Sequence, residues 1–279
     1  MPDNPKKKCD LHIHSTFSDS DTTIEDIFKK AKEKQLSAIA ITDHDTVSGL
    51  PLAQRLSNIY GIELIEGIEI SANKDDIEIH ILGYLIDSSN ANIAKELGNI
   101  HALRKERLIN MADKLNSLGI KVDTKELFEI IKDTIPTRLH LGLYLVNKGF
   151  VKTLREAFSK YLSPGKPAYI SRFKYSVKEA IELIKNYKGL AFLAHPHLLP
   201  KQEWIEEFIS YCLDGLEIIY PKFSQAKISR YEAVADKMGL LKSGGSDAHG
   251  SYKEFTEIGG VDVPYEWVEE MKKRKAHRA

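Results

Sequence analysis

Cysteine is scarce: Cys9 and Cys212 are the only two among 279 residues. Two thiols give neither a disulfide framework nor a thiolate cluster of the kind that holds structural zinc. Both lie beside apolar strand or helix patterns and are expected to be buried thiols. No run approaches the roughly 20 apolar residues of a membrane span. The N-terminal PDNPKKK lacks the apolar stretch of a secretion signal, so a soluble cytoplasmic protein with no membrane partner is expected. An excess of one charge is missing too, because 40 Lys and Arg face 40 Asp and Glu. That balance argues against tracking long duplex nucleic acid, which calls for a basic face. It leaves room for a short ligand gripped by a few placed cations. There is no low-complexity segment, no internal repeat and no glycine-rich dinucleotide turn.

What is present is 42% hydrophobic residues, enough for a sizeable core, in short apolar runs alternating with helical patterns. Strands are expected at CDLHI, SAIAIT, IELIEGIEI, IEIHILGYLI, LAFLAH, GLEII and LLKSGG. Thr23 before IEDIFKKAKEKQ and Ser176 before VKEAIELIKNY read as helix starts. Asn73 to Asp76 reads as a hairpin turn. Strand–helix alternation favours an α/β fold with a largely parallel sheet. Seven strands without a dinucleotide turn suggest a barrel rather than an open sheet. Residues 88–171 read as helix throughout, so an all-helical insertion is expected to divide the barrel into 1–87 and 172–279.

The chemistry-bearing residues gather at strand ends. His12 and His14, two apart on a strand, share a face. SAIAIT ends in Asp43-His44-Asp45, where Asp45 or Thr46 would cap a following helix. Glu69 sits between isoleucines in GIEIS, and His80 among apolar residues in IEIHILGY. AHPH supplies His195 and His197, and GGSDAHG supplies Asp247 and His249. Each has an ordinary reading alone: a satisfied core histidine, a solvated glutamate, or turn residues. Together they do not. Five of the seven strands end in His or a carboxylate, and in an α/β barrel the C-terminal strand ends build the active site. Converging polar groups in a core are costly unless paired or bound to cations. Imidazole and carboxylate without thiolate suit Mn, Fe or Zn, so a multinuclear metal site is expected.

The segments DLHIHSTFSD, AITDHDTVSGL, GIEIS, HILGY, AHP and GSDAHG resemble, in order, the PHP (polymerase and histidinol phosphatase) superfamily. The TDHDT and EIS blocks look most like its stand-alone branch, which dephosphorylates nucleoside 3′,5′-bisphosphates and trims short RNA from the 5′ end. The resemblance implies a distorted seven-stranded (β/α)7 TIM-like barrel with three divalent ions, Mn2+ first, with Fe2+ or Zn2+ as alternatives. It would give one ion His12, His14, Glu69 and Asp247, and a second Glu69, His80 and His195. The third would take Asp19, His44 and His249, with Asp21 as a rival to Asp19. The glycine usual after that aspartate is Ser20 here, and Ala248 stands where an aromatic is frequent.

The resemblance further implies that Arg138, His140 and Lys166 grip phosphate, with Tyr169 stacking on a base or merely packing. His197, past a ligand strand end, is the candidate proton donor to the leaving oxygen. The implied partner is a small phosphorylated nucleotide or short oligonucleotide, attacked by metal-activated hydroxide. Histidinol-phosphate phosphatase and a non-catalytic metal-binding module are the alternatives. The sequence leaves the oligomeric state open.

Overall fold

A computed structural model describes residues 7–132, 134–170 and 175–278. The expected strands are β1 (Lys8–Ile13), β2 (Ala38–Ile41), β3 (Glu63–Lys74), β4 (Ile77–Tyr84), β5 (Leu190–Leu193), β6 (Gly215–Ile219) and β7 (Leu241–Gly244). An eighth, β8 (Val263–Pro264), pairs antiparallel with β1, giving the order β7-β6-β5-β4-β3-β2-β1-β8. Two residues ending in proline carry no periodic signal, which is why the sequence suggested seven.

The pairs β1–β2, β2–β3, β5–β6 and β6–β7 are parallel, whereas β4 is antiparallel to both β3 and β5. The β3–β4 turn carries Asp75 and Asp76 at φ 49° and 63°. Two successive left-handed residues match the twist of a two-residue hairpin.

The segment after β7 closes the barrel onto β1. Asp247 N donates to His12 O at 2.8 Å, and His14 N donates to Ala248 O at 3.0 Å. Gly245 allows this approach, since a Cβ there would fall 2.4 Å from both Cβ and N of His12. Small size at one glycine therefore delivers the last strand end to the two histidines of the first.

Thr23 caps α1 (Ile24–Glu33) by accepting from Asp26 N at 3.1 Å. Between α1 and the insertion lies α2 (Leu50–Tyr60), which begins at Gly49 without any side-chain cap. The expected cap from Asp45 or Thr46 is thus corrected: Asp45 accepts instead from Ser71 N at 2.7 Å and pairs with Arg104.

Between β4 and β5 the described residues form α3 (Ala91–Ser117), α4 (Thr124–Ile131), α5 (Arg138–Asn147) and α6 (Leu154–Ala157), which runs into a π-helical turn at Phe158–Leu162. These helices have their own apolar core, including Leu108, Met111, Leu115, Leu127, Leu141 and Leu145. Ile93, Leu97 and Ile100 of α3 join the barrel core instead, so the change of packing partner falls inside α3. The expected boundary at residue 171 lies outside the described residues.

The chain returns through α7 (Val177–Asn186), where Ser176 and Glu179 form a reciprocal capping box. It ends with α8 (Trp204–Ser210), α9 (Gln225–Met238) and α10 (Glu266–Ala276). Cys9 is buried as expected. Cys212 is not: it is exposed on the turn after α8, at φ 69°. No helix among the described residues is long and apolar enough to cross a membrane.

Candidate metal centre

The strand ends converge on Glu69. This carboxylate is 1% exposed, and its Oε2 lies 3.4 Å from His12 Nε2, 3.2 Å from His14 Nε2 and 3.1 Å from His44 Nδ1. Its other oxygen, Oε1, is 3.0 Å from His80 Nδ1 and 3.2 Å from His195 Nε2. The β2–β3 pairing continues past the end of β2, with Asp45 N on Glu69 O at 2.9 Å, and this sets His44 beside Glu69.

Asp247 Oδ1 faces the same point, 3.5 Å from His12 Nε2 and 3.4 Å from His14 Nε2. Asp19 lies 3.4 Å from His249 Nε2 and 3.8 Å from both His14 Nδ1 and His44 Nε2. His195 and Asp247 hold left-handed backbones, φ 31° and 50°. Non-glycine residues keep such conformations where surrounding structure over-determines them, often at functional sites.

Donor atoms cluster in three sets: His14, Asp19, His44 and His249; His12, His14 and Asp247; and His44, Glu69 and His80. The resemblance-based partition gave His14 and His44 to one ion each, whereas here each belongs to two sets. His195 meets the cluster through Glu69.

The donor chemistry fits divalent cations. Six buried side-chain atoms here lack a hydrogen-bond partner: His12 Nε2, both ring nitrogens of His14, Asp19 Oδ1, His44 Nδ1 and Glu69 Oε2. Leaving buried polar atoms unmatched costs about 1–3 kcal/mol each. Cations at these points would satisfy the lone-pair atoms among them, at most one of the two His14 nitrogens included, since a neutral imidazole keeps one N–H.

Electrostatics agree. Burial opposes ionisation of Glu69, but the imidazoles of His44, His80 and His12 hold its carboxyl well below the usual range. Burial likewise opposes ionisation of Asp19, and His44 and His249 overcome it. Burial pulls His14 down, yet Asp247, Glu69 and Asp19 lift it to about 9; Glu69 and Glu78 do the same for His80. Protons on imidazole here balance charge that a metal would otherwise neutralise.

Behind the donors stand residues that sequence reasoning missed. Glu217, wholly buried on β6, accepts from His12 Nδ1 at 2.8 Å and from His195 N at 2.6 Å. Its signal was a lone carboxylate inside the apolar run GLEII. Tyr220 donates to Asp247 Oδ2 at 2.7 Å, and Lys253 pairs with the same oxygen. Asp43 accepts from Ser15 N and from the hydroxyls of Ser15 and Ser18 at 2.6–2.7 Å, which pins the loop leading to Asp19.

A cavity of about 390 Å3 opens onto the cluster. Asp19, His44, His80 and His249 form its floor, and Arg104, Arg107, Arg138 and Lys253 give it a cationic wall. Arg138, at the first position of α5, contacts Glu78 Oε2 at 3.0 Å. Tyr169 packs against the guanidinium groups of Arg107 and Arg138.

Several expected site residues do not line this cavity. Asp21 is exposed, accepts from Ser251 and falls in none of the three donor sets, whereas Asp19 does. His140 does not line the cavity: Thr137 N donates to its Nδ1 at 3.2 Å, and its ring completes the cap of α5. Lys166 is exposed on a turn and does not line the cavity either. His197 packs against Tyr220 and Phe223. Burial, with His195 nearby, lowers its imidazole to about 4.

A family model described as the PHP domain matches residues 10–238. The chain belongs to the PHP domain family. Among its relatives, a 5′-3′ exoribonuclease from Haemophilus influenzae is 33% identical over 87% of this chain and 90% of its own length. A 3′,5′-nucleoside bisphosphate phosphatase from Chromobacterium violaceum is 30% identical over 91% and 92%. Among solved structures, a candidate metal-dependent phosphoesterase from Bifidobacterium adolescentis superposes with a TM-score of 0.87, at 30% identity over 97% of each chain. This PHP chain is a metal-dependent phosphoesterase, a hydrolytic enzyme with His, Asp and Glu clusters suited to metal.

Proposed function

We propose that this PHP chain removes the 3′-phosphate from nucleoside 3′,5′-bisphosphates and trims short 5′-phosphorylated oligonucleotides. The observation that carries the reading is the cavity itself, which joins the metal-ligand cluster to a wall of arginine and lysine. A simple monoester needs only the first. A substrate bearing a second phosphate uses both. The exoribonuclease and bisphosphate phosphatase relatives, matched over 90% and 92% of their lengths, support the same branch.

In this reading three divalent ions, manganese first, are held by His12, His14, Asp19, His44, Glu69, His80, His195, Asp247 and His249. Such ions supply charge neutralisation on phosphate oxygens and a water acidic enough to ionise near neutrality. The chain's own residues do the remainder. Glu217 and Tyr220 fix the orientation of His12 and Asp247. Arg138 and Lys253 bind and orient the anionic substrate, a bidentate fork and a point charge respectively. Positioning and electrostatics then carry most of a phosphoryl transfer.

The test is phosphate release from adenosine 3′,5′-bisphosphate by metal-stripped protein reloaded with Mn2+, with histidinol phosphate in parallel. Metal-dependent release from the bisphosphate alone is expected. Release only from histidinol phosphate would overturn the substrate class.

A further inference from the structure

A second cavity, of about 360 Å3, lies at the other end of the barrel from the metal ligands. Leu190, on its wall, is the first residue of β5, and His195 stands two residues past the last, Leu193. Five residues of extended chain separate the two by roughly 16 Å. The charged side chains that line this basal cavity are all cationic: Lys185, Lys188, Lys275 and Arg278. Two helices supply them in the same way. Lys185 comes from the last turn of α7 and Lys188 from just past its end, while Lys275 comes from the last turn of α10 and Arg278 from just past it.

Part of this charge has a local use. Cations at helix C-termini meet a partial negative charge of about half a unit per helix. Asp214, wholly buried, takes up one charge more: Lys185 binds its Oδ2 and Arg278 its Oδ1. Oδ2 also accepts from Ala191 N at 2.8 Å, so both oxygens of this carboxylate are engaged. Lys275 donates to Leu85 O. Among the described residues the Lys188 side chain has no hydrogen-bond or ion-pair partner, and its backbone sits at φ 58°, a left-handed position where Gly or Asn is usual. Two helix ends and one carboxylate leave about two of the four positive charges unmatched. The crowding is felt at Lys185, where burial and Arg278 pull the pKa down and contact with Asp214 only partly restores it.

We propose that the basal cavity is a second, non-catalytic site that binds a phosphoryl group, either free phosphate or the head of a small phosphate monoester. Such a group carries about 1.5–2 negative charges near pH 7, close to the surplus here. Its terminal oxygens accept from cations on both helices at once, which a single-atom anion such as chloride does not do. The cavity is large enough to hold the organic part of a small monoester beside the phosphoryl group. Occupancy ties the ends of α7 and α10 together and, through Lys275, joins them to the chain leaving β4 at Leu85.

The experiment uses isotope-labelled protein loaded with Zn2+, which is diamagnetic, and follows backbone amide signals. Lys188, Gly189 and Leu190 report the basal cavity, whereas His44 and His80 report the metal cavity, so one titration separates the two places. The probes are inorganic phosphate, adenosine 5′-monophosphate, adenosine, and sodium chloride at matched ionic strength. Saturable shifts of the basal amides are expected with phosphate or the monophosphate, and not with adenosine or chloride. A response to both anions makes the phosphoryl group sufficient. A response to the monophosphate alone makes the monoester the ligand.

Lys188→Glu alters an exposed side chain that leaves no partner stranded. It should weaken basal binding roughly tenfold while the shifts at His44 and His80 stay as in the wild type. Lys275→Gln is a second variant expected to act in the same direction, and melting curves of both report their folding. Basal amides that stay still in phosphate and monophosphate, or that move equally in chloride or adenosine, would overturn the site. So would a basal Kd unchanged by both variants.

Discussion

Glu217 Oε1 lies 2.8 Å from His12 Nδ1, with neither side chain exposed to solvent, and its Oε2 holds the backbone N–H of His195 at 2.6 Å. An ionised carboxylate accepts only, so Nδ1 carries the proton and the Nε2 lone pair points into the cluster. One side chain on β6 thereby orients donors on β1 and beyond β5. Glu217→Gln keeps the size and loses the obligatory acceptor. It should lower manganese affinity about 10–100-fold, the usual effect of removing a carboxylate behind a metal-binding histidine. Titration against a competing chelator reads this directly. An unchanged affinity would reduce Glu217 to packing.

Metal should also stabilise the fold. An ion that binds the native chain alone contributes about 2.7 kcal/mol at a hundredfold excess over its Kd. For a chain of this size that corresponds to a rise in Tm of roughly 5–10 °C. Glu69→Gln should lose most of it, because every donor set contains this carboxylate or a histidine within 3.4 Å of it. Differential scanning calorimetry with manganese and with chelator provides the check. A melting point indifferent to both would be hard to reconcile with a metal centre.

His140 gives a pH dependence of definite sign. Burial lowers its pKa below the ordinary 6.5, with Asp19 opposing. Well above pH 6.5 the imidazole is neutral in folded and unfolded chains alike and contributes no difference. As pH falls below 6.5 the unfolded chain takes up a proton that the folded one refuses, so stability declines. His12, His14 and His80 shift the opposite way, so the informative quantity is a difference. The gap in urea midpoint between wild type and His140→Asn should narrow as pH drops from 7.5 to 5. A gap that widens would reverse the assignment.

Much of this was legible because polar residues inside apolar runs are conspicuous. His12, His14, Glu69 and His80 announce themselves against isoleucine and leucine, and DHD and SDAH mark where strands stop. The paired aspartates at 75 and 76 gave the hairpin. What stayed hidden had no local contrast. Arg104 and Arg107 fall within LRKERL, where helical spacing alone does not tell a buried cation from a solvated one. His140 looked like a ligand because a cap that uses a ring nitrogen shares the residue type of a binding site. The division of donors among ions was beyond reach as well, since the loop carrying Asp19 is set by Asp43, Ser15 and Ser18 in three dimensions.

Arg104 ties the insertion to the barrel. From α3 its Nε meets Asp45 at 2.5 Å, its Nη2 donates to Ser71 Oγ at 2.7 Å, and its Nη1 reaches Pro136 O at 3.2 Å. Asp45 is fully buried, so removing the cation leaves an uncompensated charge in the interior. Arg104→Met should therefore cost about 3–5 kcal/mol, the range for breaking one side of a buried pair. Adding Asp45→Asn removes the stranded charge, and the double variant should regain part of the loss. A urea-unfolding cycle measures the coupling between the two positions. Strong coupling means the pair holds α3 against β2 and β3, and so fixes where the cationic wall stands relative to the metal ligands. Simple additivity would mean that the apolar contacts of Ile93, Leu97 and Ile100 hold it there without Arg104.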